Sequence, residues 1–117
     1  MPRFISVKKV DNINVVTFSF NEIGLVDREE LKENLNKLLN EGETQFVLDL
    51  SKIGFFSSLV IATIVFFAKE VRQNKGDVKL INLSSQAFSI FQLTQLDKVF
   101  KLYESEQEAI EAFKKTE

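Results

Sequence analysis

The apolar positions fall into short blocks whose spacing changes along the chain. Phe4 to Val10 and Ile13 to Phe20 alternate roughly between apolar and polar residues, with Asp11–Asn12 between them, which predicts two strands joined by a tight turn. In the second arm Val16, Phe18 and Phe20 share one face. From Asp27 the period lengthens. Leu31, Leu35, Leu38 and Leu39 make a helical stripe, Asp27 and Glu30 have the spacing of a capping box, and Gly42 lies just past the stripe.

Phe46 to Leu50 is an apolar run too short for a helix and reads as a buried strand. A loop leads from it into a long helix that starts near Ser57 or Ser58 and ends before Gly76. Val78 to Leu83 predicts another buried strand. Ser84–Ser85 then cap a helix carrying Ala87, Ile90 and Phe91, and Val99 to Leu102 predicts a last short strand. Ser105 with Glu108 repeats the capping-box spacing ahead of Ala109, Ile110 and Phe113. The order is ββαβαβαβα. It predicts a single α/β domain over residues 1–117, with a mixed sheet in which an N-terminal hairpin is followed by parallel strands and right-handed crossovers.

Within the long helix, Ile61, Ile64, Val65, Ala68 and Val71 recur at helical spacing and are expected to face the sheet. Leu59, Ala62 and Phe66 then project to the opposite side. Three aligned apolar residues there predict a surface for a partner, or for a homodimer through that outer face. The plainer reading is that Phe66 folds sideways onto a neighbouring helix, or that one exposed apolar residue carries no meaning.

Composition narrows the chemistry. The 117 residues include 15 basic and 17 acidic side chains, a balance with no clustered Lys or Arg for nucleic acid. Cysteine and histidine are both absent, which removes disulfides, thiolate ligands, the commonest metal ligand and the usual base near neutral pH. Gly24, Gly42, Gly54 and Gly76 stand singly, so no phosphate-cradling loop is visible, and no serine has the glycines and histidine of a nucleophile elbow. No catalytic residue, cofactor or metal site is predicted, and the chain reads as a binding protein and not an enzyme. The apolar run from Leu59 to Ala68 is far short of the ~20 residues of a membrane helix. Met1–Pro2–Arg3–Phe4 does not read as the start of a secretory leader, so a cytoplasmic protein without membrane insertion is expected.

Three stretches carry a resemblance. They are Val47-Leu48-Asp49-Leu50-Ser51 followed by Phe55-Phe56-Ser57-Ser58; Lys79-Leu80-Ile81-Asn82-Leu83-Ser84; and Leu93-Thr94-Gln95-Leu96-Asp97-Lys98-Val99-Phe100, running into Ser105-Glu106-Gln107-Glu108-Ala109. In order and spacing they resemble the STAS family of the bacterial anti-sigma factor antagonist type, over about residues 4 to 113. The resemblance implies a partner anti-sigma factor that is also a serine kinase, and a phosphoacceptor serine at the start of the second long helix. Ser58 falls on that position, with Ser57 the lesser candidate. Ser57 stands where the family has aspartate, Leu59 and Val60 replace small residues, and Gln95 replaces a glycine. The expected partner interface is Ser57, Ser58, Leu59, Ala62 and Phe66. The alternative is a divergent STAS scaffold or complex subunit that works without phosphorylation.

Overall fold

A computed structural model describes residues 3–115; residues 1, 2, 116 and 117 of the predicted 1–117 domain lie outside the described residues. The elements follow the predicted order: β1 (Ile5–Val10), β2 (Ile13–Phe18), α1 (Arg28–Asn40), β3 (Gln45–Asp49), α2 (Ser58–Gln73), β4 (Asp77–Ile81), α3 (Ser85–Leu93), β5 (Lys101–Tyr103) and α4 (Glu106–Lys115). The strands form one five-stranded sheet in the order β1-β2-β3-β4-β5. β1 and β2 pair antiparallel, and every later pair is parallel.

The pleat sends alternate side chains to two separate cores. Val16, Phe18, Phe46, Leu48, Val78 and Leu80 meet the apolar stripes of α1, α2 and α3 on one face. Ile13, Val15, Val47 and Ile81 meet Ala109, Ile110 and Phe113 of α4 on the other. β2 is therefore buried on both faces, which its alternation did not suggest. Between α4 and the sheet lies Lys79, only 5% exposed, its Nζ held by Asp77 at 3.3 Å and lying 4.4 Å from the centre of the Phe113 ring.

Two local expectations are corrected. Asp27 and Glu30 do not form a capping box, because Leu25–Asp27 is a short 3-10 turn that runs directly into α1 and the Asp27 side chain makes no capping bond. Both carboxylates instead bind the Arg3 guanidinium, at 3.1 and 2.7 Å. The last strand starts two residues later than predicted. Leu96–Lys98 forms a 3-10 turn, leaving Val99 48% exposed, and only then does Lys101–Tyr103 pair with β4. Gln95, just past the end of α3, has φ 63°, the left-handed conformation usually left to glycine after a helix. The serine caps do form: Ser84 Oγ accepts from the Ala87 N–H at 3.1 Å, and Ser105 Oγ from the Glu108 N–H at 3.2 Å.

One polar cluster ties the hairpin to the loop before β3. Buried Asn14 donates to Glu43 Oε1 at 2.9 Å and to the Gln45 carbonyl at 3.3 Å, while Lys9 Nζ donates to Glu43 Oε2 at 2.6 Å. The hydrogen bond from Lys9, seconded by that from Asn14, holds the Glu43 carboxyl below the ordinary carboxylate range. A lowered carboxylate pKa adds stability above the unfolded-state value, and that stability is lost as pH falls through the folded-state value. Glu43→Gln should therefore flatten part of the acid limb of a stability–pH profile, measured by urea unfolding between pH 7 and acid. Superimposable slopes for variant and wild type would contradict this role.

Candidate functional site

The segment from β3 to α2 is anchored by spacing. Leu50, Ile53 and Phe56 enter the main core at 2, 5 and 8% exposure, and the Phe56 ring meets Phe91 edge-on with centroids 5.9 Å apart. The intervening positions then turn outward, and Phe55 is 53% exposed. The Asn21 carbonyl accepts from the backbone N–H groups of Gly54 and Phe55, at 2.9 and 3.0 Å. This fastens the segment to the β2–α1 connection. At the near end, Asp49 Oδ1 accepts from the Ser51 N–H at 3.0 Å and from the Asn82 amide at 3.1 Å. The approach to α2 is held at both ends.

The two serines end in different situations. Ser57 is the N-cap of α2, half-buried, and its Oγ accepts from the Val60 N–H at 3.3 Å. The Ser57 carbonyl accepts from Ile61 at 3.1 Å. Ser58 is the first helical residue and is exposed, and its hydroxyl has no hydrogen-bond partner among the described residues. No acidic residue occupies the first turn of α2, so the positive end of the helix is not neutralised from within.

α2 is rotated relative to its predicted setting. Val60, Ile64 and Val71 are fully buried, with Phe67 and Ala68 at 3 and 1% exposure, whereas Ile61 and Val65 sit half-buried, Val65 lining a groove with Val99 and Phe100. The difference arises because every residue from Leu59 to Ala68 except Thr63 is apolar, so several stripes satisfy the same period. The predicted outer residues separate accordingly. Leu59 packs half-buried against the core, Ala62 is half-buried, and Phe66 is 55% exposed where it lines the groove between α1 and α2 beside Arg28 and Lys32. Phe66 thus leans sideways, as the plainer reading has it, and still shows half its surface to solvent.

Three exposed apolar residues on the segments leading into α1 and α2 escape the sequence pattern. Leu25 and Val26, at 73 and 94% exposure, precede α1, and Phe55 belongs to the fastened segment. The signal for Leu25–Val26 is that two adjacent apolar residues between Gly24 and Asp27 fit no period. Phe55 is visible as the odd member of an adjacent pair, of which only Phe56 can point inward. Among the described residues no group of acidic side chains could hold a metal ion, and no helix is long and apolar enough to cross a membrane.

Comparison with known proteins gives one consistent assignment. The family model for the STAS domain matches residues 4–109. The anti-sigma-B factor antagonist of Listeria monocytogenes is 24% identical over 104 residues, covering 89% of this chain and 91% of the relative. A crystal structure of tm1081 from Thermotoga maritima superimposes with a TM-score of 0.81 at 26% identity, covering 92% of each chain. The phosphorylated form of SpoIIAA from Bacillus superimposes with a TM-score of 0.72 at 19% identity, over 93% of this chain and 98% of that one.

Proposed function

Because the chain belongs to the STAS domain family, we propose that it is an anti-sigma factor antagonist: it docks on a partner anti-sigma factor that is also a serine kinase, and phosphorylation of Ser58 releases it. The name of the Listeria relative supports the antagonist role. The observation that carries the rest is the division of labour between the serines. Ser57 spends its hydroxyl on the cap, while Ser58, the first helical residue, is exposed and its hydroxyl bonds nothing among the described residues.

A phosphoryl group on Ser58 would meet the amino end of α2, where the Ser57 cap takes up the Val60 N–H and the helix dipole favours an anion. The domain would keep its fold. What changes is the surface, which gains about −1.5 to −2 charges. In a docked complex that charge has to be desolvated against the partner, so binding is opposed although the domain is unaltered. The docking patch would comprise Ser58, the exposed faces of Phe55 and Phe66, and the edges of Ser57, Leu59 and Ala62. A partner that carries a cytoplasmic sigma factor places the work in the cytoplasm and calls for binding, with no catalysis by this chain.

Incubation with a serine-kinase anti-sigma factor and ATP, followed by intact-mass analysis, tests the proposal. One added phosphate is expected on the wild type and on Ser57→Ala, and none on Ser58→Ala. No added phosphate on the wild type, under conditions that label a known substrate, would refute it and leave a phosphorylation-independent scaffold.

A further inference from the structure

A second site lies across the same end of the sheet from α2. A cleft of about 720 Å³ opens beyond the carboxyl ends of β4 and β5, between the start of α3 and the turn before α4. Its volume falls in the range of small-molecule sites, about 300–1,000 Å³, and the carboxyl ends of parallel strands are where such sites form in open α/β sheets. The residues that line it include Phe88 and Tyr103, the latter also packed against the α4 core, together with Ser51, Asn82, Ser85 and Glu104.

The charge of this wall decides what it can hold. Glu104 is its one charged residue, and among the described residues that carboxylate has neither an ion pair nor a hydrogen bond. Among the described residues no cationic side chain lines the cleft. Lys79 approaches the Tyr103 ring only at 6.0 Å, and is itself held by Asp77 and the Phe113 face. The first turn of α3 bounds the cleft, with its Ala87 N–H taken up by Ser84 Oγ, and among the described residues the one full charge lining the cleft is the Glu104 carboxylate. An anion entering here would meet a bare carboxylate and no countercharge. A cation would meet that carboxylate with aromatic residues, Phe88 and Tyr103, in the same lining, the combination that recognises organic ammonium groups.

We propose that this cleft is a binding site for a small organic cation with an apolar or aromatic body, its ammonium group on Glu104 and its body against Phe88. The site has a route to the α2 turn. Asn82, with φ 60°, donates to the Asp49 oxygen that also fixes the Ser51 N–H, and Ser51 opens the segment leading to Ser57 and Ser58. A ligand touching Ser51 and Asn82 would stiffen that segment. The site stands independently of whether Ser58 is phosphorylated.

The test is an amide NMR titration of the full chain with 2-phenylethylammonium, with phenylacetate as the charge-reversed control. Saturable shifts are expected at Ser51, Asn82, Ser85, Phe88 and Glu104 in the low-millimolar range, and phenylacetate should produce none. Glu104→Gln, on an exposed side chain that leaves the fold intact, should weaken the ammonium probe by about 5–10-fold, since a charge-assisted hydrogen bond becomes a neutral one. Absence of shifts, equal shifts with phenylacetate, or an unchanged titration in Glu104→Gln would each overturn the proposal.

Discussion

Gly76→Ala should lower the stability of the domain by about 3 kcal/mol, an overpacking penalty at the upper end of its usual range. For a chain of this size that corresponds to a drop of roughly 10 °C in the unfolding midpoint. Gly76 links α2 to β4. A Cβ there would overlap the carbonyl oxygen of Thr44 and stand 2.9 Å from Val71 Cγ1. Neither can retreat cheaply. The Thr44 carbonyl accepts from the Asp77 N–H at 2.9 Å beside the first β3–β4 pair, and the Gly76 N–H is itself bound to the Val71 carbonyl at 3.0 Å. Val71 is fully buried. Two other glycines serve as controls. At Gly24 an added methyl group would find no neighbour within 4 Å, so Gly24→Ala should stay within about 0.5 kcal/mol. At Gly54 the obstacle is the tip of the Asn21 side chain, which can swing away. Thermal unfolding of the three variants checks the ranking, and a Gly76→Ala midpoint within a degree or two of Gly24→Ala would show that the close approach carries no energetic weight.

This contrast also marks what the sequence could and could not convey. Gly76 is legible only as a helix stop; that a carbonyl from the loop before β3 sits against it depends on the β3–β4 register, which no local pattern reports. The strands, the helices and their order were legible, because alternation, a helical stripe and Ser or Gly punctuation agree at each element. The failures lie where two signals competed. Asp27 and Glu30 have capping-box spacing, but Arg3, distant in sequence, offers charge-assisted bonds and takes both carboxylates. Val99 continues an apolar run, but the left-handed turn at Gln95 delays the chain, so pairing begins at Lys101.

The site divides in the same way. The start of α2 at the serine pair was readable, since Ser at an N-cap has a local cause. The facing of α2 was not. Leu59, Val60, Ile61, Ala62, Ile64, Val65, Phe66, Phe67 and Ala68 are all apolar, so periodicity left the rotation open, and contacts with β3, β4 and α1 fixed it. Phe46 against Phe67, with ring centroids 5.0 Å apart at 75°, is one contact that selects the observed setting.

That rotation determines which substitutions probe the docking patch without damaging the fold. Phe66→Glu and Phe55→Glu alter rings that are 55 and 53% exposed, so each should leave the unfolding free energy within about 1 kcal/mol of wild type. Leu59→Asp would instead bury a charge against the core, and any loss of binding would be confounded with loss of structure. If the patch is the anti-sigma factor contact, an aromatic anchor replaced by a carboxylate should weaken association by at least about 30-fold, the scale of an interface hot spot. Ser58→Glu should weaken it by about 100-fold or more, because the new charge sits where a phosphate would and has to be desolvated on docking. Ser58→Ala removes only a hydroxyl that bonds nothing among the described residues, and should bind as wild type does. Isothermal titration against a purified serine-kinase anti-sigma factor, with circular dichroism of each variant alongside, measures all four. Full-strength binding by Ser58→Glu would separate the turn from the interface, and full-strength binding by both phenylalanine variants would place the interface elsewhere on the domain.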